Sequence, residues 1–189
     1  MKTLLLAAAL STSASFAFAA DRYTLDASHS QILFSYNHLG FSTTFGMFSG
    51  FEGEIMFDAE DPAASSVSVS MPTKSMFTGW EQRDGHFMSP DFFGAADDDL
   101  ISFASTGIEV TGDGTALITG DLTMNDVTKS VVLDAVLNQA GTNPRSQKEW
   151  AGFNATTTLL RSDFGLGAFA PAVSDEVSVQ ISIEAGKAE

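Results

Sequence analysis

The chain reads as an all-β protein, an antiparallel sheet with one short helical insert. Three observations predict this. First, run after run of four to nine residues alternates apolar and polar side chains, the pattern of strands whose successive residues leave opposite faces. Second, the runs recur at hairpin spacing, with Gly, Asn, Asp and Pro between them. Third, only one stretch, residues 73–99, breaks the pattern. Regular short strands of this kind build either a closed barrel or a sandwich, and the alternation alone leaves both open.

Residues 1 to 19 stand apart from the sheet. Lys2 is their only charge, Leu4 to Leu10 is apolar, and Ala17-Phe18-Ala19 has the small-x-small form of a signal-peptidase site. A cleaved secretory leader is expected, with the domain over residues 20–189. Losing Lys2 would take the formal charge from -15 to -16. Export without a single cysteine rules out disulfide staples, so the domain needs a core of its own, and the bacterial periplasm is the expected compartment. So acidic a chain argues against nucleic acid or anionic headgroups as main partners. No further apolar run approaches membrane-spanning length.

In order, Tyr23-Thr24-Leu25-Asp26 is a short strand and Ala27–Ser30 a turn. From Ser30 to His38, the residues Ile32, Phe34, Tyr36 and His38 share one face. Leu39 to Ser49 holds Gly40 and Gly46 among three phenylalanines and reads as a bulge or bend. Alternation resumes at Phe51, Gly53, Ile55 and Phe57, then at Val67, Val69 and Met71. Residues 80–88 suggest one or two helical turns, and Ser89-Pro90 a second turn with Ser89 as N-cap. Ile101–Ser105 and Gly107–Val110 are strand-like and are followed by the Gly112-Asp113-Gly114 turn. Ala116–Met124 alternates through Ile118, Gly120, Leu122 and Met124, and Asn125-Asp126 turns it into Val131–Leu137 through Leu133 and Ala135. Phe153–Arg161 and a last strand through Val177, Val179, Ile181 and Ile183 complete eight or nine strands. The last strand and the first long one are expected to pair and close the sheet.

Sixteen phenylalanines against two tryptophans and two tyrosines suit an interior that forms few hydrogen bonds, either a solid core or a pocket for a hydrocarbon. Composition by itself favours the solid core. The histidines His29, His38 and His86 lack short metal-ligand spacing, so no metal is expected. No Gly-x-Ser-x-Gly elbow or phosphate loop is present, so no catalytic set or cofactor is assigned. Arg83-Asp84-Gly85-His86 concentrates charge in the insert, either to hold the insert down or to meet a ligand headgroup.

Ordered motifs carry a resemblance. They are Tyr23-Thr24-Leu25-Asp26, His29-Ser30, His38-Leu39-Gly40, Phe51-Glu52-Gly53, Arg83-Asp84-x-His86-Phe87, Ser89-Pro90-Asp91-Phe92-Phe93, Gly120-Asp121-Leu122-Thr123, Val127-Thr128-Lys129 and Arg161-Ser162-Asp163-Phe164-Gly165. In this order they resemble the YceI family of exported polyisoprenoid-binding proteins across the whole domain. The chain differs in having Asn125-Asp126 where the family has a glycine before Val-Thr-Lys, and in its Ser75–Trp80 segment. The resemblance implies an eight-stranded lipocalin-like barrel holding a long isoprenoid, a periplasmic setting, often a dimer, an association with stress responses, and no catalysis. The expected partner is therefore an isoprenoid or another long-chain amphiphile. On that reading Ile32, Phe34, Tyr36, Phe51, Ile55, Phe57, Val69, Phe103, Leu122 and Leu133 form the tunnel wall. His38, Arg83, Asp84 and His86 are the polar groups near its mouth. Two other readings are an enzyme acting on a small lipid, with His38 or His86 as general base, and a structural module with a solid core.

Overall fold

The computed structural model describes residues 20–189. The expected leader lies outside the described residues. Ten strands form one antiparallel sheet. They are β1 (Asp21–Leu25), β2 (Gln31–His38), β3 (Ser42–Phe48), β4 (Glu52–Phe57) and β5 (Ser66–Pro72). After the insert come β6 (Leu100–Gly112), β7 (Thr115–Met124), β8 (Val127–Thr142), β9 (Glu149–Leu160) and β10 (Glu176–Lys187). The insert carries one helix, α1 (Glu81–Phe87).

Ten strands make eight staves, because two staves are broken. β1 and β2 follow one another along one line, interrupted by a single 3-10 turn at Ala27–His29. β3 and β4 follow likewise, interrupted at Ser49–Phe51. β2 pairs with β3 and β1 with β4, so the two broken staves are one long hairpin. The chain then meanders from β4 through β10. β10 returns to the first stave at two levels, with Ile181 opposite Ile32 and Lys187 opposite Tyr23. The sheet is therefore a closed up-and-down barrel rather than a sandwich, and closure satisfies the main-chain groups that an open edge would leave unpaired.

Local chemistry places the breaks. Asp26 accepts hydrogen bonds from the Ser28 amide at 2.9 Å and the Ser28 hydroxyl at 2.6 Å, which holds the first turn. Gly50, at φ +71°, supplies the left-handed step of the second. Asn125 and Asp126 both take positive φ, the geometry of a type I′ turn, and this joins β7 to β8 in two residues.

Four expectations change. Residues 39–49 are a tight turn followed by the strand β3, not a bend; Gly46 sits in that strand under the Phe34 ring, where a Cβ would have no room. Residues 89–93 form a turn without helix, with the Ser89 hydroxyl only 3.4 Å from the Asp91 amide. The two runs around Gly107 are one strand, β6, with a bulge between Ser105 and Gly107 that moves the inward set from odd to even positions. β8 and β10 also run beyond their expected ends.

The upper end of the barrel carries the β2–β3 turn, the insert, the β7–β8 turn and the loop 161–175. The lower end carries the β4–β5, β6–β7 and β8–β9 connections. A packed core of Tyr23, Leu25, Phe48, Phe51, Ile55, Phe57, Met71, Met76 and Ile101 lies against β1 and β3–β6.

Candidate functional site

The inward faces do not meet in the middle. They enclose a cavity of about 1460 Å³, above the roughly 300–1,000 Å³ of ordinary small-molecule pockets. It extends from Ala59, Pro62 and Asp113 at the lower end to His38, Arg83 and Phe169 at the upper end. The twelve residues of β10, at about 3.3 Å each, give a wall about 40 Å long before tilt.

All ten expected wall residues line this cavity: Ile32, Phe34, Tyr36, Phe51, Ile55, Phe57, Val69, Phe103, Leu122 and Leu133. Alternation places them there, since each strand sends every second side chain inward. Phe34 and Phe48 meet across the β2–β3 pair with ring centroids 5.5 Å apart. Lower down, Tyr23, Phe57 and Phe153 form an edge-to-face ladder at 5.8 and 5.6 Å. That ladder packs the barrel floor.

The upper end is more polar. His38, Ser42, Thr44, Gln82, Arg83, His86 and Arg161 all line it. Asp84 is not in the lining. Its carboxylate accepts from the Thr78 amide at 2.9 Å and the Thr78 hydroxyl at 2.5 Å, so it fastens the strand-like approach to α1. Arg83 is tied to the same residue. Its Nε donates to the Thr78 hydroxyl oxygen at 2.8 Å and its Nη2 to the Thr78 carbonyl at 2.7 Å, and the guanidinium lies 5.9 Å from the Trp80 ring centre. Anchoring therefore accounts for Asp84 and for half of Arg83. His86 is edge-on to Phe92 at 5.1 Å and lies 3.5 Å from the Asp91 carboxylate. Phe87, which packs against Tyr36 and Phe92, completes an aromatic plug under α1.

Sequence reasoning missed Arg161 as a lining residue. Its guanidinium donates to four main-chain carbonyls: Ser174 at 2.9 Å, Ala168 at 2.8 Å, Val173 at 2.9 Å, and Leu166. Burial pulls its pKa below the ordinary arginine value, against the opposing pull of Asp175 and Tyr36. One arginine thus folds the loop 161–175 over the upper opening. The signal was present in the chain, because the inward series Phe153, Ala155, Thr157, Leu159 continues to Arg161. Leu39, Trp80 and Phe169 also line the cavity from loops, where no periodicity reports a face.

Outside the cavity, the ligand atoms of Asp26, His29 and Glu184 lie within 4.8 Å of one another. Each is already engaged. His29 Nδ1 is 2.6 Å from Asp26, and Glu184 accepts from the Trp150 indole N–H at 2.8 Å. Hydrogen bonding accounts for the group without a metal. Among the described residues no helix is long and apolar enough to cross a membrane.

A closed antiparallel barrel around a large apolar cavity, capped by a helical insert, defines a class of hollow ligand-cavity barrels. The YceI-like domain model matches residues 23–185, and the chain belongs to that family. A UPF0312 protein of Ectopseudomonas mendocina is 42% identical over 170 residues, covering 89% of this chain and 88% of its own. The Campylobacter jejuni YCEI crystal structure superposes with a TM-score of 0.72 at 29% identity, covering 81% of this chain and 90% of that one. A Saccharophagus degradans domain described as polyisoprenoid-binding superposes with a TM-score of 0.68 at 13% identity, covering 88% and 98%. At that identity the likeness is one of fold.

Proposed function

We propose that this chain binds one long-chain amphipathic isoprenoid inside the barrel, as an exported periplasmic carrier or sequestering protein. The observation that carries the reading is the cavity itself: a single void of about 1460 Å³ running between the barrel ends, walled by Phe, Ile, Leu and Val. Apolar surface removed from water contributes about 25 cal/mol per Å², so a hydrocarbon chain filling such a space binds tightly without ion pairs. The polyisoprenoid-binding description of the Saccharophagus domain supports the ligand class. The lipid tail would lie along β7–β10 and the headgroup at the upper end, near His38, His86 and the side of Arg83 not held by Thr78.

Binding rather than turnover fits the site. His86 packs edge-on against Phe92 beside the Asp91 carboxylate, and His38 closes β2 opposite Ser42 with its backbone bridged to Val173. Purified protein from its host, extracted with organic solvent and analysed by mass spectrometry, should yield a near-stoichiometric isoprenoid. Recovery of none, together with failure to take up added isoprenoid, would end the carrier reading. Turnover of a lipid that His38→Ala and His86→Ala variants still bind but no longer convert would replace it with an enzyme.

A further inference from the structure

Every exposed Phe or Trp side chain among the described residues lies at or near the upper end of the barrel. They are Phe41, which is 90% exposed, Phe45, Phe77, Trp80 and Phe169, with Leu39 beside them. They form a connected region. The Leu39 amide bonds the Ala172 carbonyl, which ties the hairpin tip to the loop of Phe169. Met47, two residues from Phe45, pairs with Phe77. Leu39, Trp80 and Phe169 are at once exposed and part of the cavity lining, so apolar side chains run from the interior onto the exterior beside the polar groups of the opening, His38, Gln82 and Arg83.

The charge pattern is as marked. The chain carries 24 acidic residues, yet from Ala27 to Phe51 it has no Asp, Glu, Lys or Arg. The β2–β3 hairpin that presents Phe41 and Phe45 is therefore uncharged throughout, and the acids of the upper end belong to its other connections: Glu81, Asp84, Asp91 and Asp97 to Asp99 in the insert, Asp126 in the β7–β8 turn, and Asp163 and Asp175 in the loop 161–175. A surface that is aromatic, centred on an uncharged hairpin and continuous with a lipid-sized cavity matches a membrane interface rather than an ion-pairing partner.

We propose that the β2–β3 hairpin tip, with Phe77, Trp80 and Phe169, docks the barrel onto a neutral phospholipid bilayer, so that a lipid crosses between bilayer and cavity without entering water. This rests on the carrier reading for its purpose but not for its measurement. The aromatic rings would enter the acyl boundary, while the overall charge of -15 disfavours anionic headgroups.

The test uses the double variant Phe41→Ser/Phe45→Ser, whose residues lie outside the cavity lining. Wild-type protein should float with phosphatidylcholine vesicles, and less so when a third of the lipid is anionic. The double variant should lose association by about tenfold or more, in keeping with the lost apolar contact. Its uptake of a short fluorescent isoprenoid supplied in solution should be unchanged. In a Phe41→Trp variant, vesicles should shift the emission to the blue. Vesicle association that is absent in the wild type, or equal in the double variant, overturns the proposal. So does sedimentation showing that the same substitutions only dissociate a dimer, which would assign the face to a second copy of the chain. If docking behaves as expected but no protein takes up soluble isoprenoid, the docking surface stands and the carrier reading fails.

Discussion

The two sides of the barrel are built from one alternating pattern and end in different states. On the side of β3 to β6, the inward residues Phe48, Phe51, Ile55, Phe57, Met71, Ile101 and Phe103 are buried. Met76, sent inward from the insert, backs them. On the side of β7 to β10, Ile118, Leu122, Leu133, Leu159, Val179 and Ile181 point inward equally but stay half-buried, because they face the void. Rings and thioethers reach far enough to touch one another, and Ile, Leu and Val on the opposite wall do not reach across. Both sides line the cavity, but the β3–β6 side is also a packed core, whereas the large side chains of the β7–β10 side are lining alone.

The sharpest way to break this contrast is truncation on each side of the ligand-free protein. Phe51, at 3% exposure, has packed neighbours that cannot follow it, and Phe51→Ala should cost about 3–5 kcal/mol. Ile118→Ala removes a side chain that already faces empty space, so only part of its transfer energy is lost, about 1 kcal/mol. Urea unfolding measures both. Equal losses would mean that the void collapses in solution and the two walls are alike.

A second perturbation asks whether the hollow side has any rigid anchor. Arg161 is the candidate, since its guanidinium gathers four carbonyls of the loop 161–175. Arg161→Leu would leave them without donors and should cost about 2–3 kcal/mol. Arg161→Lys should recover little, because one ammonium cannot span the same fork. Faster amide exchange across 161–175, with the β3–β6 core unaffected, would show the anchor to be local to the hollow side.

Much of the fold was legible in the chain because a barrel wall obeys a two-residue period. Every strand face expected from Ile32 to Ile183 lies as the alternation places it, and the pairing of the last strand with the first long one follows from the same pattern. Three things were hidden. The bulge after Ser105 changes the inward parity within β6, and a parity change leaves no mark beyond a lone Gly107. The division of Leu39–Phe51 into turn, strand and break depends on pairing partners distant in sequence. The depth of the interior is set by what stands opposite each side chain, and composition favoured a solid core for that reason. Asp84 shows the same limit at the site: a charge in the insert reads equally as headgroup ligand and as anchor until Thr78 is seen beside it.

A filling experiment sharpens the contrast from the other direction. Leu133→Trp adds volume where there is none to displace, so it should change stability by less than about 1 kcal/mol. It should weaken isoprenoid uptake about tenfold, the equivalent of roughly 1.4 kcal/mol of lost apolar contact. The matching change in the packed wall, Ile55→Trp, should destabilise by about 1–3 kcal/mol through overpacking. Thermal melts and a fluorescent isoprenoid titration would separate the two.

The smallest expected effect lies at the joint between β1 and β2, which links the packed floor to the upper hairpin. Hydrogen bonds from Ser28 and His29 hold the Asp26 carboxyl below its ordinary 3.8, and the hydrogen bond to Asp26 raises His29 above its ordinary 6.5. Asp26 therefore contributes stability that is present above the ordinary carboxylate value and lost as pH falls through its lowered one. His29 contributes stability that is full below the ordinary imidazole value and lost as pH rises through its raised one. The pair is worth most between those limits. Because His29 is exposed and Asp26 only half-buried, the effect is small and screened by salt. His29→Gln should lower the melting temperature slightly near about pH 5 and converge on wild type above about pH 8. A deficit that persists at high pH would mean that the joint depends on the shape of the Asp26–His29 turn rather than on the charge of His29. The floor and the upper hairpin would then be coupled by backbone shape alone.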